Sequence, residues 1–442
     1  MKKWKWFGIS VVIVGLVTTS FLLYFKPWGV QVEPEELEVS LPRIDIILNG
    51  VTLEEINAGE KGVVYEGESL SITINEITSQ YEDVSIKGRG NSTWSQAKKP
   101  YQIKLDSKND LLGLGKSRNW ILLTNIFDDS VLRNDTAFFI EKMLDERYAL
   151  NGEYVELYVD NEYVGLYYLT PKVEIGKDRV DLRDPLGVVV ELDNLHNVDK
   201  KCYRSLGGDC FMASDLVSKD NGFAAMDLFV DSINQLEAAV FDGDFEKVKT
   251  IIDVESFAQY YLISEFTVNP DSYVTSYFFY KDGENDLVHA GPGWDFDFAL
   301  GNKQWGFSYT ADFYSPYNTR YQERYAFGGK VLNIESNEYE DTEADLKISR
   351  LIYKLLDFPD FKEKVDAIFR KKMSGRKEEL LNYIDDRADF VREAVRADSE
   401  KWGKGNFEEE VEYLKDWVSR RFDHFEYEYG GWKDLSRFMV EI

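Results

Sequence analysis

The stretch GPGWDFDFALGN, residues 291–302, sets two carboxylates, Asp295 and Asp297, inside an otherwise apolar run. Alternation along a strand puts both acids on one face and Trp294, Phe296 and Phe298 on the other. Two like charges so placed repel unless water or a cation lies between them. The spacing points to a divalent-cation site, with a half-exposed edge strand as the plainer reading.

A third acid stands upstream. In EFTVNPDSYVTSYFFYKD, residues 265–282, Asp271 follows a helical pattern and precedes a predicted hairpin, VTSYFFYKD and LVHAGPGWDFDF joined by GEND. The second strand of that hairpin carries Asp295 and Asp297, so the three acids are expected to converge. Protein kinases use the same plan for phosphoryl transfer: a catalytic-loop aspartate, a metal ligand five residues on, then a strand turn bearing a metal-binding aspartate. Asp271 and Ser276 have that separation, and Asp295-Phe296-Asp297 occupies the D-F-G place. As a turn residue after Asn269-Pro270, Asp271 also has a purely structural reading.

Such chemistry needs positive charge on the far side of a nucleotide. The segment IKGRGNSTWSQAKKPYQIKL, residues 86–105, offers it. Gly88 and Gly90 flank Arg89, with Asn91 next, in a turn whose backbone can approach an anion. Lys104 on the following strand is the candidate partner of the phosphates. Lys98 and Lys99 read as surface lysines, Arg89 can equally anchor a local carboxylate, and Trp94, Trp120 and Trp294 read as core aromatics.

The elements that must position these residues fall into two halves. From about 42 to 195 short β-like runs dominate, among them RIDIIL, LSITI, PYQIKL, NWILLTN, YVELYV, YVGLYYL and GVVVELD, with DNEYVG as a hairpin tip. One helix interrupts them, VLRNDTAFFIEKMLDE, with Ser130 as its expected cap. After a connecting stretch of about 196–221, helical spacing takes over from about 222 to 430, broken by the hairpin. The fold class is α+β, and the length and 44% hydrophobic content suffice for a large core.

Ahead of this domain, Phe7 to Phe25 is an uncharged run of 19 residues, about 28 Å as a helix and enough to cross a membrane. Lys2, Lys3 and Lys5 precede it and EPEE follows, so residues 1–28 read as an uncleaved signal anchor. That orientation leaves the N-terminus cytoplasmic and the domain extracytoplasmic beyond a 29–41 linker. Cys202 and Cys210, the only cysteines, are expected to form a disulfide in that setting. Net charge is -28, and the first thirty residues hold lysines but no acid, so the domain is more acidic still. Nucleic acid is excluded as a partner, and basic or neutral partners are favoured.

KGRGNSTW with KKPYQIKL, then LLGLGKSRNWILLTN, LRND, NPDSYVTSYFFYKD and GPGWDFDFALGN, in that order over about residues 42–425, resemble the CotH (spore coat protein H) kinase family. The resemblance implies an atypical protein-kinase-like fold, with a β-rich N-lobe and an α-helical C-lobe. It also implies transfer of the ATP γ-phosphate to Ser or Thr of a protein, with Mg²⁺ or Mn²⁺. Carried over, Asp271 is the catalytic aspartate and Asp295 the metal ligand, with Asp297 as co-ligand and Ser276 in place of a metal-binding Asn. Pro171 stands where the family pattern has Glu, which leaves Glu141 or Glu174 as the acidic partner of Lys104. Two other classes remain open. One is a pseudokinase or cell-surface binding or adhesion module with a nucleotide or metal pocket; the other is a two-carboxylate glycoside hydrolase.

Overall fold

The structure, a computed structural model, describes residues 41–194, 202–303, 330–333, 338–341 and 348–430. The barrel strands are β1 (Arg43–Leu48), β2 (Val64–Ile74), β3 (Ile77–Gly88), β4 (Tyr101–Asp110), β5 (Lys116–Leu123), β6 (Glu153–Val159) and β7 (Glu162–Pro171). They close in the order β1-β2-β3-β4-β5-β7-β6, with β6 returning parallel to β1. Period-two alternation is the cause: in RIDIIL every second residue, Ile44, Ile46 and Leu48, is buried. They meet Leu70, Val84, Ile103, Trp120 and Leu157 inside the barrel. The predicted DNEYVG tip is present, with Asp160 and Asn161 at φ 50° and 66° between paired β6 and β7. Two left-handed residues are what a tight hairpin of this twist requires.

A second sheet runs β12-β11-β8-β10-β9, from β8 (Gly187–Leu192), β9 (Tyr203–Arg204), β10 (Cys210–Leu216), β11 (Tyr277–Asp282) and β12 (His289–Ala290). The front-half run GVVVELD therefore pairs with VTSYFFYKD from the back half, Glu191 opposite Phe278. The sequence boundary near 195 cuts through this sheet. Cys202 and Cys210 are joined by a disulfide across the β9–β10 turn.

Helices α1 (Leu53–Ala58) and α2 (Arg133–Met143) belong to the front half. Behind them come α3 (Gly222–Phe241), α4 (Phe245–Val248), α5 (Val254–Thr267), α6 (Ile348–Leu355), α7 (Pro359–Lys372), α8 (Lys377–Trp402) and α9 (Phe407–Glu428). From Ser256 onward α5 is buried all round, as a central helix must be. Its C-terminal carbonyls, at Glu265 and Phe266, accept from Arg421 of α9, which satisfies groups the helix itself cannot.

Three expectations change. Ser130 does not cap α2: the Asp128 carboxylate accepts the Arg133 N–H at 2.8 Å and the Ser130 N–H at 3.0 Å, and also pairs with the Arg133 guanidinium. An acid two residues earlier satisfies the helix start because the chain folds back there. Lys98 is no surface lysine. It is 1% exposed and holds Asp398 of α8 at 2.7 Å, while Asp398 accepts the Leu166 N–H from β7, so the pair ties barrel to helices. The GPGWDFDF stretch is not a strand past Ala290, and Asp295 sits at φ 66°, a left-handed conformation no strand contains. The predicted anchor, residues 1–28, lies outside the described residues, as does the linker up to residue 40. Among the described residues no helix is long and apolar enough to cross a membrane.

Candidate functional site

A pocket of about 470 Å³ collects residues from both halves. One wall is the end of β3 and the turn beyond it, with Lys87, Arg89 and Asn91; the other holds Asp271, Ser276, Asp295 and Asp297; Glu191 of β8 and Asp193 just past it also line the pocket. All three sequence-predicted acids, Ser276 and the whole Gly88–Asn91 turn are thus brought together.

The acid wall is irregular backbone fixed by side-chain amides. After α5 the chain reverses at Val268, φ 47°. Asn269 then holds two loops at once: its Oδ1 accepts the Asp271 N–H at 3.2 Å and its Nδ2 donates to the Asp295 carbonyl at 3.1 Å. Ser276 Oγ donates to Asp295 Oδ2 at 3.2 Å. Further along, Asn134 of α2 accepts the Phe296 N–H at 2.8 Å and Glu141 accepts the Gly293 N–H at 2.7 Å. Asn302 donates to the Asp297 carbonyl at 2.5 Å. Apart from the Ser276–Asp295 side-chain bond, each anchor satisfies a backbone group that no strand ladder reaches.

The cationic wall is the end of a regular strand. Gly88 is required by packing, since a Cβ there would lie 2.3 Å from the Trp94 ring. Gly90 is required by its backbone, at φ 80°. Asn91 Oδ1 accepts from Lys61 Nζ at 2.8 Å. The Arg89 guanidinium lies over the Trp294 ring, 5.4 Å from its centroid. Lys104 is elsewhere: it is exposed, sits in register with Ser85 and Asn119, and does not line the pocket. Lys87 stands in the pocket instead. Neither proposed acidic partner meets Lys104, because Glu174 accepts from Ser117 Oγ and Asn119 Nδ2 at 2.5 and 2.7 Å and Glu141 is held at Gly293.

Burial, then Asp295 and Asp193, push the Asp271 carboxyl up to about 8. Burial and the neighbouring Asp295 and Asp271 hold Asp297 well above the carboxylate range. Glu191 is pushed up to about 7 by burial and by Asp193 and Asp295, against the pull of Arg89 and Lys172. Opposite them burial lowers Arg89 and Lys87, the latter further depressed by Lys172 and Arg89. Burial away from water disfavours the charged form on both walls, raising carboxyls and lowering cations. Among the described residues no group of three or more His, Cys, Asp or Glu is close enough to hold a metal on protein ligands alone. The hard oxygens of Asp295, Asp297 and Ser276 suit Mg²⁺, which commonly takes one or two carboxylates and completes its shell with phosphate and water.

Sequence reasoning missed Lys87, Glu191, Asp193 and Asn269. The signal for two of them was present: Glu191 and Asp193 are an acid pair at i and i+2 in the apolar run GVVVELDN, the pattern that drew attention to Asp295 and Asp297. Asp193 is 2% exposed and accepts from Thr275 Oγ at 3.0 Å, which ties β8 to the turn bearing Asp271.

None of the curated proteins matches the chain. A family model described as CotH kinase protein matches residues 86–425, a span that includes both walls of the pocket and most of α9. The match covers most of the chain, and the protein belongs to the CotH kinase protein family.

Proposed function

We propose that the protein is an atypical kinase that transfers the γ-phosphate of ATP to a Ser or Thr hydroxyl of another protein. The observation that supports this reading is one pocket with Arg89 and Lys87 on one wall and Asp271, Asp295 and Asp297 on the other. Arg89 and Lys87 bind phosphate oxygens, the guanidinium with a fork of donors and the ammonium as a point charge. Asp271 accepts the hydrogen bond of the acceptor hydroxyl and orients it. Asp295 and Asp297, with Ser276, would hold Mg²⁺ or Mn²⁺, whose charge offsets that gathering on the transferred group. The apolar run at residues 7–25 supports a membrane-anchored, outward-facing placement, argued from sequence alone.

Incubation of the chain with radiolabelled ATP, Mg²⁺ or Mn²⁺ and candidate acceptors tests the reading. Label transfer that Asp295→Asn removes is the expected result, and a variant with full activity would overturn the metal role.

A second reading, a nucleotide-binding module without turnover, draws on Ser276. Its hydroxyl already donates to Asp295 where the kinase plan has a metal-binding amide. Stabilisation by Mg-ATP in a thermal shift without any phosphoprotein would favour that reading.

A further inference from the structure

A second pocket, of about 420 Å³, reverses the charge of the chain around it. Acids outnumber bases by 80 to 52 in this protein, yet Arg147, Lys172, Lys177 and Arg179 all line this cavity. None of the four forms an ion pair among the described residues, whereas the surface cations of α7 and α8 are heavily paired. The acids at the pocket bond to other groups, although Glu174 and Asp178 act on Arg179, and Arg147 and Lys177 on Asp181, at longer range. Glu174 accepts from Ser117 and Asn119, Asp178 accepts the Lys116 N–H at 3.0 Å, and nearby Asp181 is paired with Arg183 at 2.8 Å.

Arg179 forms part of the lining and is 8% exposed. Its terminal nitrogens donate to the carbonyls of Leu114, Gly115 and Asp178, while its Nε–H is buried with no partner. An orphaned charged donor is costly unless something accepts from it. The cations are graded in depth: Arg147 and Lys177 are exposed, Lys172 is half-buried and Arg179 is buried. Such a gradient suits an extended chain carrying several negative groups better than one small anion.

The position gives the pocket its role. Pro292 forms part of its wall, three residues before Asp295 in the same segment. Lys172 acts electrostatically on both Lys87 and Glu191 of the first pocket. We propose that this cavity binds an acidic peptide segment, bearing carboxylates or phosphorylated side chains, of the protein that donates the acceptor hydroxyl. The idea rests on the phosphotransfer reading for its purpose and on the unpaired cations for its chemistry. It also qualifies the sequence-level expectation of basic partners, because global charge governs approach whereas a local cluster governs docking.

Fluorescence anisotropy with the detergent-solubilised full chain tests it, using labelled ten-residue peptides rich in Asp and Glu, in phosphoserine, in Ser and Asn, or in Lys and Arg. The Asp/Glu or the phosphoserine peptide should bind in preference to the neutral and basic ones, and more weakly as salt rises. Competition by inorganic phosphate against the phosphoserine peptide alone would assign the chemistry to phosphate; equal binding of the two would assign it to negative charge in general. Arg147→Glu with Lys177→Glu, both at exposed positions, should weaken that binding about tenfold or more while leaving stabilisation by Mg-ATP unchanged. Acidic peptides that bind no better than neutral ones, or a double variant with undiminished affinity, would overturn the proposal. Loss of Mg-ATP stabilisation in the unsubstituted chain would instead count against the nucleotide site, since peptide binding is read without turnover.

Discussion

The two walls of the pocket between Arg89 and Asp271 are built by different means. On the barrel side Lys87 and Arg89 occupy the end of β3 and the turn beyond it, and the ladder to β4 fixes where they point. On the helical side Asp271, Ser276 and Asp295 sit in turns with left-handed residues at Tyr273, Ser276 and Asp295. These turns are held by amide side chains from α2 and from the loops themselves. Apart from Gly88 and Gly90, a strand end tolerates substitution because its hydrogen bonds are made by backbone. A turn of this kind depends on particular side chains, so function on the acid wall should be lost more steeply and through more positions.

The largest contrast is expected at the acids. Asp271→Asn or Asp295→Asn should lower phosphate transfer by roughly a thousandfold or more, while thermal melting shows an unchanged fold, since the turns are held through the Asp271 N–H and the Asp295 carbonyl, which both variants keep. A variant that loses activity and also unfolds would mean that the carboxylate, not merely its turn, holds the wall together. On the cationic wall Arg89→Ala should weaken nucleotide binding by about ten- to a hundredfold, read by calorimetry, with Lys104→Ala close to unchanged. Equal losses at the two positions would return Lys104 to the site and break the assignment to Arg89.

The amide anchors sharpen the comparison further. Asn134→Ala strips the Phe296 N–H of its acceptor, which should cost about 1–3 kcal/mol in urea unfolding. It should also lower activity more than it lowers nucleotide affinity, because the displaced segment carries Asp295. An unchanged rate would show that the turn holds itself.

How much of this was legible in the sequence follows the same division. Strands such as RIDIIL and YVELYV declare themselves by alternation, and the DNEYVG tip by its turn chemistry, because local rules suffice there. Asp295 and Asp297 were found because charge inside an apolar run is costly and therefore conspicuous, and Asp271 by its place just ahead of the hairpin. The conformation around them was not legible: GPGWDFDF alternates like a strand, and only the acceptance of its N–H groups by Asn134 and Glu141, more than 150 residues earlier, holds it in another shape. Lys87 was missed, and Lys104 named, for a related reason. Both lie on strands, and which of two neighbouring strand ends overhangs the pocket is decided by barrel closure, a long-range property with no local signature.

The smallest effect tests whether the acid wall is also sensitive through its support. Glu146, just beyond α2, packs against Gly291 so closely that a Cβ there would lie 2.7 Å from its carboxylate. Burial, and to a lesser degree Asp253, raises its carboxyl from 4.5 to about 8, opposed by the Tyr148 and Arg147 N–H groups and the Arg147 charge. In the unfolded chain the group ionises near 4.5, whereas in the folded chain it keeps its proton until about 8. The unfolded state therefore binds fewer protons across that window, and the stabilisation present below pH 4.5 is lost as pH rises toward 8. Melting temperature should fall over that range and fall less in Glu146→Gln, by roughly a few degrees. If Glu146→Gln leaves the slope intact, the pH response arises elsewhere in this acidic chain and the Gly291 turn is held by packing alone.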